Sequence, residues 1–159
     1  MWTESPAVAD SVHLAVGGTL PYAPWMFHQR AESPLHLNGL EASRRFFADC
    51  LAETDPTKEH VWVAHVDDQA RCIHLSRHDG DQGGADLPLR QVIADASVHG
   101  SAGVIIAHNH PSGDPTPSAL DRQITRRLSL AGEAIDLTVL DHLVIAGQQC
   151  RSMRQMGLL

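Results

Sequence analysis

The sequence predicts one α/β domain built in layers. Two observations carry that prediction. Helical and apolar-run patterns alternate along the chain in the order helix, hairpin, helix, strand, helix, strands, which is the pattern of sheets covered by helices. The length of 159 residues, 43% of them hydrophobic, suits a single domain with a core large enough to need no disulfide or metal staple in order to fold.

The elements follow in chain order. Residues 1–38 hold Pro6, Pro21, Pro24 and Pro34 with Gly17-Gly18 and no sustained period. They read as an irregular N-terminal arm, with one short strand at Val12–Val16, and Trp2 and Trp25 suggest that part of it packs on something. Residues 39–159 read as the domain. Leu40, Phe46, Phe47, Cys50 and Leu51 fit an amphipathic helix, which Asp55-Pro56-Thr57 ends. Residues 59–67, EHVWVAHVD, are rich in β-branched residues and predict a mostly buried strand, with a turn at Asp67-Asp68-Gln69 and a hairpin partner at Arg71–Leu75. Gly80–Gly84 reads as a loop. Leu89, Val92, Ile93 and Ala96 predict a helix over Pro88–His99, stopped by Gly100. Val104–Ala107 reads as a buried strand and Pro111–Pro117 as a loop. Ser118 caps a helix through Ala131 with Leu120, Ile124 and Leu128 on one face, and Gly132 closes it. Residues 136–146 supply one or two buried strands.

Charge and composition exclude several functions. Twelve Lys and Arg against 19 Asp and Glu give a formal charge of −7 with no basic stripe, so DNA contact is not expected. The N-terminal MWTESPAVADSV has neither a basic stretch nor a continuous apolar stretch of a signal peptide, and no run approaches about 18 apolar residues, so no membrane span is expected. Cys50, Cys72 and Cys150 are odd in number, far apart and without a CxxC pair, which fits a reducing cytoplasm. The unusual count is histidine, 11 against 1 Tyr and 3 Phe.

Chemistry concentrates at residues 108–121. His108 and His110 lie two apart at a strand end, and side chains at i and i+2 of an extended segment share a face. Asp121, in the first turn of the next helix, is available as a third ligand. Two His and one Asp leave a fourth tetrahedral position open, the arrangement of a catalytic zinc, at which water turns acidic enough to act near neutral pH. The same residues also read as a turn followed by a capping box, with Ser118 and Asp121 serving only the helix start. Spacing alone leaves both readings open. The zinc-deaminase pattern is absent, for position 110 is His and no CxxC exists, and there is no HExxH.

The pattern His108-x-His110-x10-Asp121, with Ser118 before the Asp, resembles the signature of the JAMM (MPN+) zinc metallopeptidases. The string HNHPSGDPTPS at 108–118, followed by Asp121 and Thr125, and the segment Val139–Gly147 closely resemble the bacterial RadC family. The resemblance covers roughly residues 40–159. It implies a mixed sheet between helices, of the cytidine-deaminase-like JAB/MPN architecture, and a zinc-dependent hydrolase of amide or isopeptide bonds acting on a protein or peptide substrate. It implies Zn2+ on His108, His110 and Asp121, Ser118 as a hydrogen-bond donor to the developing oxyanion, and a general-base Glu at the start of a buried strand. Glu59 holds that place; Glu53, at the end of the preceding helix, is the rival. Asn109 is expected to face the other way and to have no catalytic role. The family's name comes from an association with DNA repair, so a non-catalytic binding or scaffold module is the alternative. The helix-hairpin-helix region usual in full-length members is not detectable here.

Among the other histidines, His74 and His78 read as a surface pair, His60 and His65 lie within the strand, with His65 buried and hydrogen-bonded, and His142 is either a neighbour that orients a ligand or a structural residue. Arg126-Arg127 reads as a solvated helix face.

Overall fold

The computed structural model describes residues 35–80 and 87–159. The arm through residue 34, with its expected strand at Val12–Val16 and both of its Trp, lies outside the described residues, as do residues 81–84 of the expected loop. The described elements are α1 (Gly39–Ala52), β1 (His60–Val66), β2 (Cys72–Asp79), α2 (Leu89–His99), β3 (Gly103–Asn109), α3 (Ala119–Glu133), β4 (Thr138–Ala146) and β5 (Gln149–Ser152). The strands form one mixed sheet in the order β2-β1-β3-β4-β5, with β3 and β4 parallel and the other neighbours antiparallel.

The alternation of strand side chains explains the two cores. Trp62, Ala64, Val66, Ile105, Ala107, Leu143 and Ile145 turn to one face, where Phe46, Phe47 and Cys50 of α1 cover them. Val61, Val63, Val104, Ile106 and Val139 turn to the other, against Val92 and Ala96 of α2 and Leu128 of α3. β1 and β3 are central and buried on both faces, which is why they read as continuous apolar runs. Packing begins before α1: Leu37 is buried, and residues 35–37 bond to Ala70 and Cys72 beyond the hairpin turn. That turn is tied by Asp67, whose Oδ1 accepts from the Gln69 and Arg71 amides.

Four local expectations need correction. β2 runs on to Asp79, where polar Ser76, Arg77 and His78 concealed its continuation; His60 and Arg77 both bind Asp79 at its far end. His74 and His78 are therefore not a surface pair: they are partly buried on one face of β2, and the His74 ring stacks on His99 at 4.0 Å. Gly132 does not close α3 but lies buried inside it, because an added Cβ would sit 2.6 Å from the Leu137 carbonyl oxygen. On the same helix the buried stripe is Thr125, Leu128 and Gly132, while Leu120 is 58% exposed. The expectation of one or two buried strands over 136–146 resolves to one: β4 fills 138–146, and β5 follows a turn at Gly147.

Candidate metal centre

The centre forms where β3 ends and α3 begins. His108 faces the α2–α3 side of the sheet, paired across to Val61 and Val144. His110 leaves the strand, held by its amide on the Ile145 carbonyl. Gly113, at φ 85°, allows the turn that brings the chain back, and Pro115 and Pro117 are buried beneath it. Ser118 then starts α3 through a reciprocal cap: its Oγ accepts from the Asp121 amide at 3.0 Å, and Asp121 Oδ2 accepts from the Ser118 amide at 2.7 Å. The capping reading and the ligand reading of Asp121 are thus compatible, because the carboxylate that caps the helix also faces both imidazoles.

His108 Nε2 lies 2.9 Å from His110 Nε2, 3.4 Å from Asp121 Oδ1, and His110 Nε2 lies 3.4 Å from Asp121 Oδ2. All three donor atoms fall within 4.8 Å of one another, and this is the one such group among the described residues. Burial alone would raise the Asp121 carboxyl; the hydrogen bond and charge of His108, then the contacts of Ser118, outweigh it and hold the group well below the usual carboxylate range. His110 Nδ1 lies 2.7 Å from the Asp114 carbonyl, an atom that only accepts, so His110 donates from Nδ1 and turns its Nε2 toward the cluster. Two imidazoles and an ionised carboxylate converging in this way could hold a metal ion. Val61, Leu87, Leu120 and Ile124 line the small cleft beside them.

Behind the three donors stand His142, for which the sequence left an orienting or a structural role open, and Thr125, for which it gave no role. His142 Nε2 lies 2.8 Å from His108 Nδ1, and His142 Nδ1 lies 2.6 Å from Thr125 Oγ1. Burial, reinforced by the charge of His108, holds His142 well below the usual histidine range, so it is neutral. Asp141, on the opposite face of β4, binds Ser152 and the Arg154 amide and so fastens the C-terminal turn.

Glu59 immediately precedes β1, is partly buried, and stands outside the three-donor cluster. Glu53 is exposed at the C-terminal end of α1, the helix on the opposite face of the sheet. Asn109 turns away from the histidines, as expected, but its amide has work there. Its Oδ1 accepts from the His60 amide and its Nδ2 donates to the Lys58 carbonyl, both at 2.8 Å, so it grips the chain on either side of Glu59. His65 is fully buried; its Nδ1 meets Ser101 Oγ at 3.1 Å, while its Nε2 has no hydrogen-bond partner. Arg126 and Arg127 are exposed on α3. Among the described residues, no helix is long and apolar enough to cross a membrane.

The mixed sheet with helices on both faces, and a His-x-His strand end facing a helix-capping Asp, define an α/β domain of the JAB/MPN type. The chain belongs to the RadC-like JAB domain family, whose pattern matches residues 37–158. It is 54% identical over 114 residues to UPF0758 protein STH371 of Symbiobacterium thermophilum, covering 72% of this chain and 48% of that protein. It is 37% identical over 119 residues to UPF0758 protein Bpet3149 of Bordetella petrii, covering 73% and 51%. With UPF0758 protein YfjY of Escherichia coli K12 the identity is 38% over 103 residues, 64% of each chain. The chain thus spans about half the length of most of these curated relatives.

Proposed function

We propose that this protein is a zinc-dependent hydrolase of amide or isopeptide bonds, acting on a protein or peptide. The observation that carries the reading is the convergence of His108 Nε2, His110 Nε2 and the Asp121 carboxylate within 4.8 Å of one another. These three would hold the zinc ion and leave one coordination position open. Zinc bound there supplies Lewis acidity, which acidifies water to a pKa of about 7 and polarises a carbonyl.

The chain's own groups supply the rest. Glu59 takes a proton from the attacking water and returns it to the leaving amine. Supporting Glu59 over Glu53 is the register: Val61 pairs with His108, so the alternation of β1 continued back two residues carries Glu59 to the histidine-bearing face, whereas Glu53 belongs to the helix on the opposite face. Ser118 donates to the oxygen that gains charge: the cap uses its Oγ as an acceptor, and its hydroxyl proton is not consumed by that bond. The exposed Leu120 and the neighbouring Ile124 offer apolar contact to a substrate side chain beside the donors.

The test has two parts. Elemental analysis should find one zinc per wild-type chain and none in His110→Ala; equal metal in both sinks the site. Glu59→Gln should keep its zinc and lose turnover on a peptide and isopeptide library. Zinc-loaded wild type that cleaves no member of such a library would refute the hydrolase and leave a metal-containing binding module.

A further inference from the structure

We propose that Thr125 and His142 form a positioning relay that fixes His108 in the tautomer whose Nε2 lone pair faces His110 and Asp121, and thereby sets how tightly the three donors hold a divalent cation. The proposal deepens the zinc-site reading above and rests on it.

Proton counting along the hydrogen bonds carries the inference. Thr125 has one hydroxyl proton, and its Oγ1 lies 2.6 Å from the Asp121 main-chain oxygen, which only accepts. The proton is committed there. Thr125 Oγ1 must therefore accept from His142 Nδ1, 2.6 Å away. A neutral imidazole carries one N–H, so His142 Nε2 is left as an acceptor. His108 Nδ1 lies 2.8 Å from it and must be the donor. In the neutral ring, the form that binds a metal, the remaining nitrogen of His108, Nε2, is then left as the ligand atom, and it is the atom 2.9 Å from His110 Nε2 and 3.4 Å from Asp121 Oδ1.

The relay is closed to water: Thr125 is 1% exposed, His142 2% and His108 4%. Bulk solvent has little access to a lost link, so the orientation depends on these side chains. The relay also joins two donors, since it starts on the main chain of Asp121 and ends on the ring of His108. Partners of this kind typically change metal affinity by about 10–100-fold when removed.

The test measures zinc affinity by competition with a chromophoric chelator, the visible spectrum of the Co2+-loaded protein, and the melting temperature of the zinc-free protein. Thr125→Val, nearly the same shape, and His142→Leu should each weaken zinc by about 10–100-fold and alter the Co2+ spectrum. Thr125→Ser and His142→Gln should restore affinity to near wild type, because the hydroxyl and an amide with one acceptor and one donor reproduce the links. A space-filling role would instead make affinity follow the zinc-free melting temperature across all four variants, which overturns the relay. Unchanged affinity in Thr125→Val and His142→Leu, with zinc still lost in His110→Ala, overturns the relay while leaving the site standing. Wild type that binds no zinc refutes the site itself. Independently of any variant, 1H–15N spectra of the zinc-bound wild type should place the ring protons of both His108 and His142 on Nδ1; a His142 proton on Nε2 instead overturns the relay.

Discussion

Asn109 lies between the two histidines yet serves the neighbouring strand, and its replacement isolates that service. In Asn109→Ala the His60 amide and the Lys58 carbonyl each lose a partner at 2.8 Å. A typical hydrogen bond contributes about 0.5–1.5 kcal/mol net, and the Lys58 link is open to water, so the pair together should stabilise the fold by about 1–2 kcal/mol. With a urea slope of about 2 kcal/mol/M, the unfolding midpoint should fall by about 0.5–1 M. Amide hydrogen exchange at His60 should accelerate beyond the global change, because the loss is local. Asn109→Asp, which keeps the acceptor and loses the donor, should fall between wild type and Asn109→Ala. As Glu59 sits between the two gripped residues, Asn109→Ala should also lower turnover without lowering zinc content. A midpoint within about 0.2 M of wild type together with unchanged exchange at His60 would refute the clamp.

Three further outcomes are expected. Gly132→Ala should cost about 1–2 kcal/mol and several degrees of Tm despite the better helix propensity of Ala, because its Cβ would meet the Leu137 carbonyl oxygen at 2.6 Å; an equal or higher Tm contradicts this. His65 is held down to about 4 from 6.5 by burial and then by His74, with His99 and His78 adding to the effect and Asp95 opposing it. The unfolded chain therefore takes up this proton first, so the stability His65 carries is complete above pH 6.5 and is lost progressively down to pH 4, by roughly 3 kcal/mol at 1.36 kcal/mol per pH unit. Urea titrations of wild type and His65→Leu should show the difference between them shifting in favour of the leucine variant over that window; a constant difference excludes it. Ser118→Ala should lose about 1 kcal/mol of stability and also turnover, whereas Ser118→Asp keeps the cap and loses turnover alone; full activity in either removes Ser118 from the chemistry.

The sequence made the donors legible because all three lie within one strand–loop–helix unit, where spacing translates directly into geometry: two residues along β3 for His108 and His110, one capped turn for Asp121. The central strands were legible for a related reason, since burial on both faces writes itself as unbroken apolar runs. The misses share a different cause. β2 continues through Ser76-Arg77-His78-Asp79 on the strength of pairing to β1 and of Asp79 binding His60 and Arg77, neither of which is a local property. The buried stripe of α3 includes Thr125 and Gly132, a polar residue and a residue with no side chain, so hydrophobic periodicity pointed instead to Leu120. Thr125 and Asn109 act through main-chain atoms and partners brought up from other strands, and that information exists only once the sheet is assembled.

The same locality has a consequence for folding. His108, His110 and Asp121 span 14 residues and need no other strand to meet, so the entropy of closing that loop is small. On the proposed zinc reading, a chain that has not yet assembled its sheet would already offer the ion a set of donors, whereas the groups proposed to tune the site would arrive later, from residues 59 and 142. A ligand that also binds the unfolded chain stabilises the native state by less than its native affinity implies. Zinc should accordingly raise the stability of this domain less than its tightness suggests, and the free chain should compete for the ion while it folds.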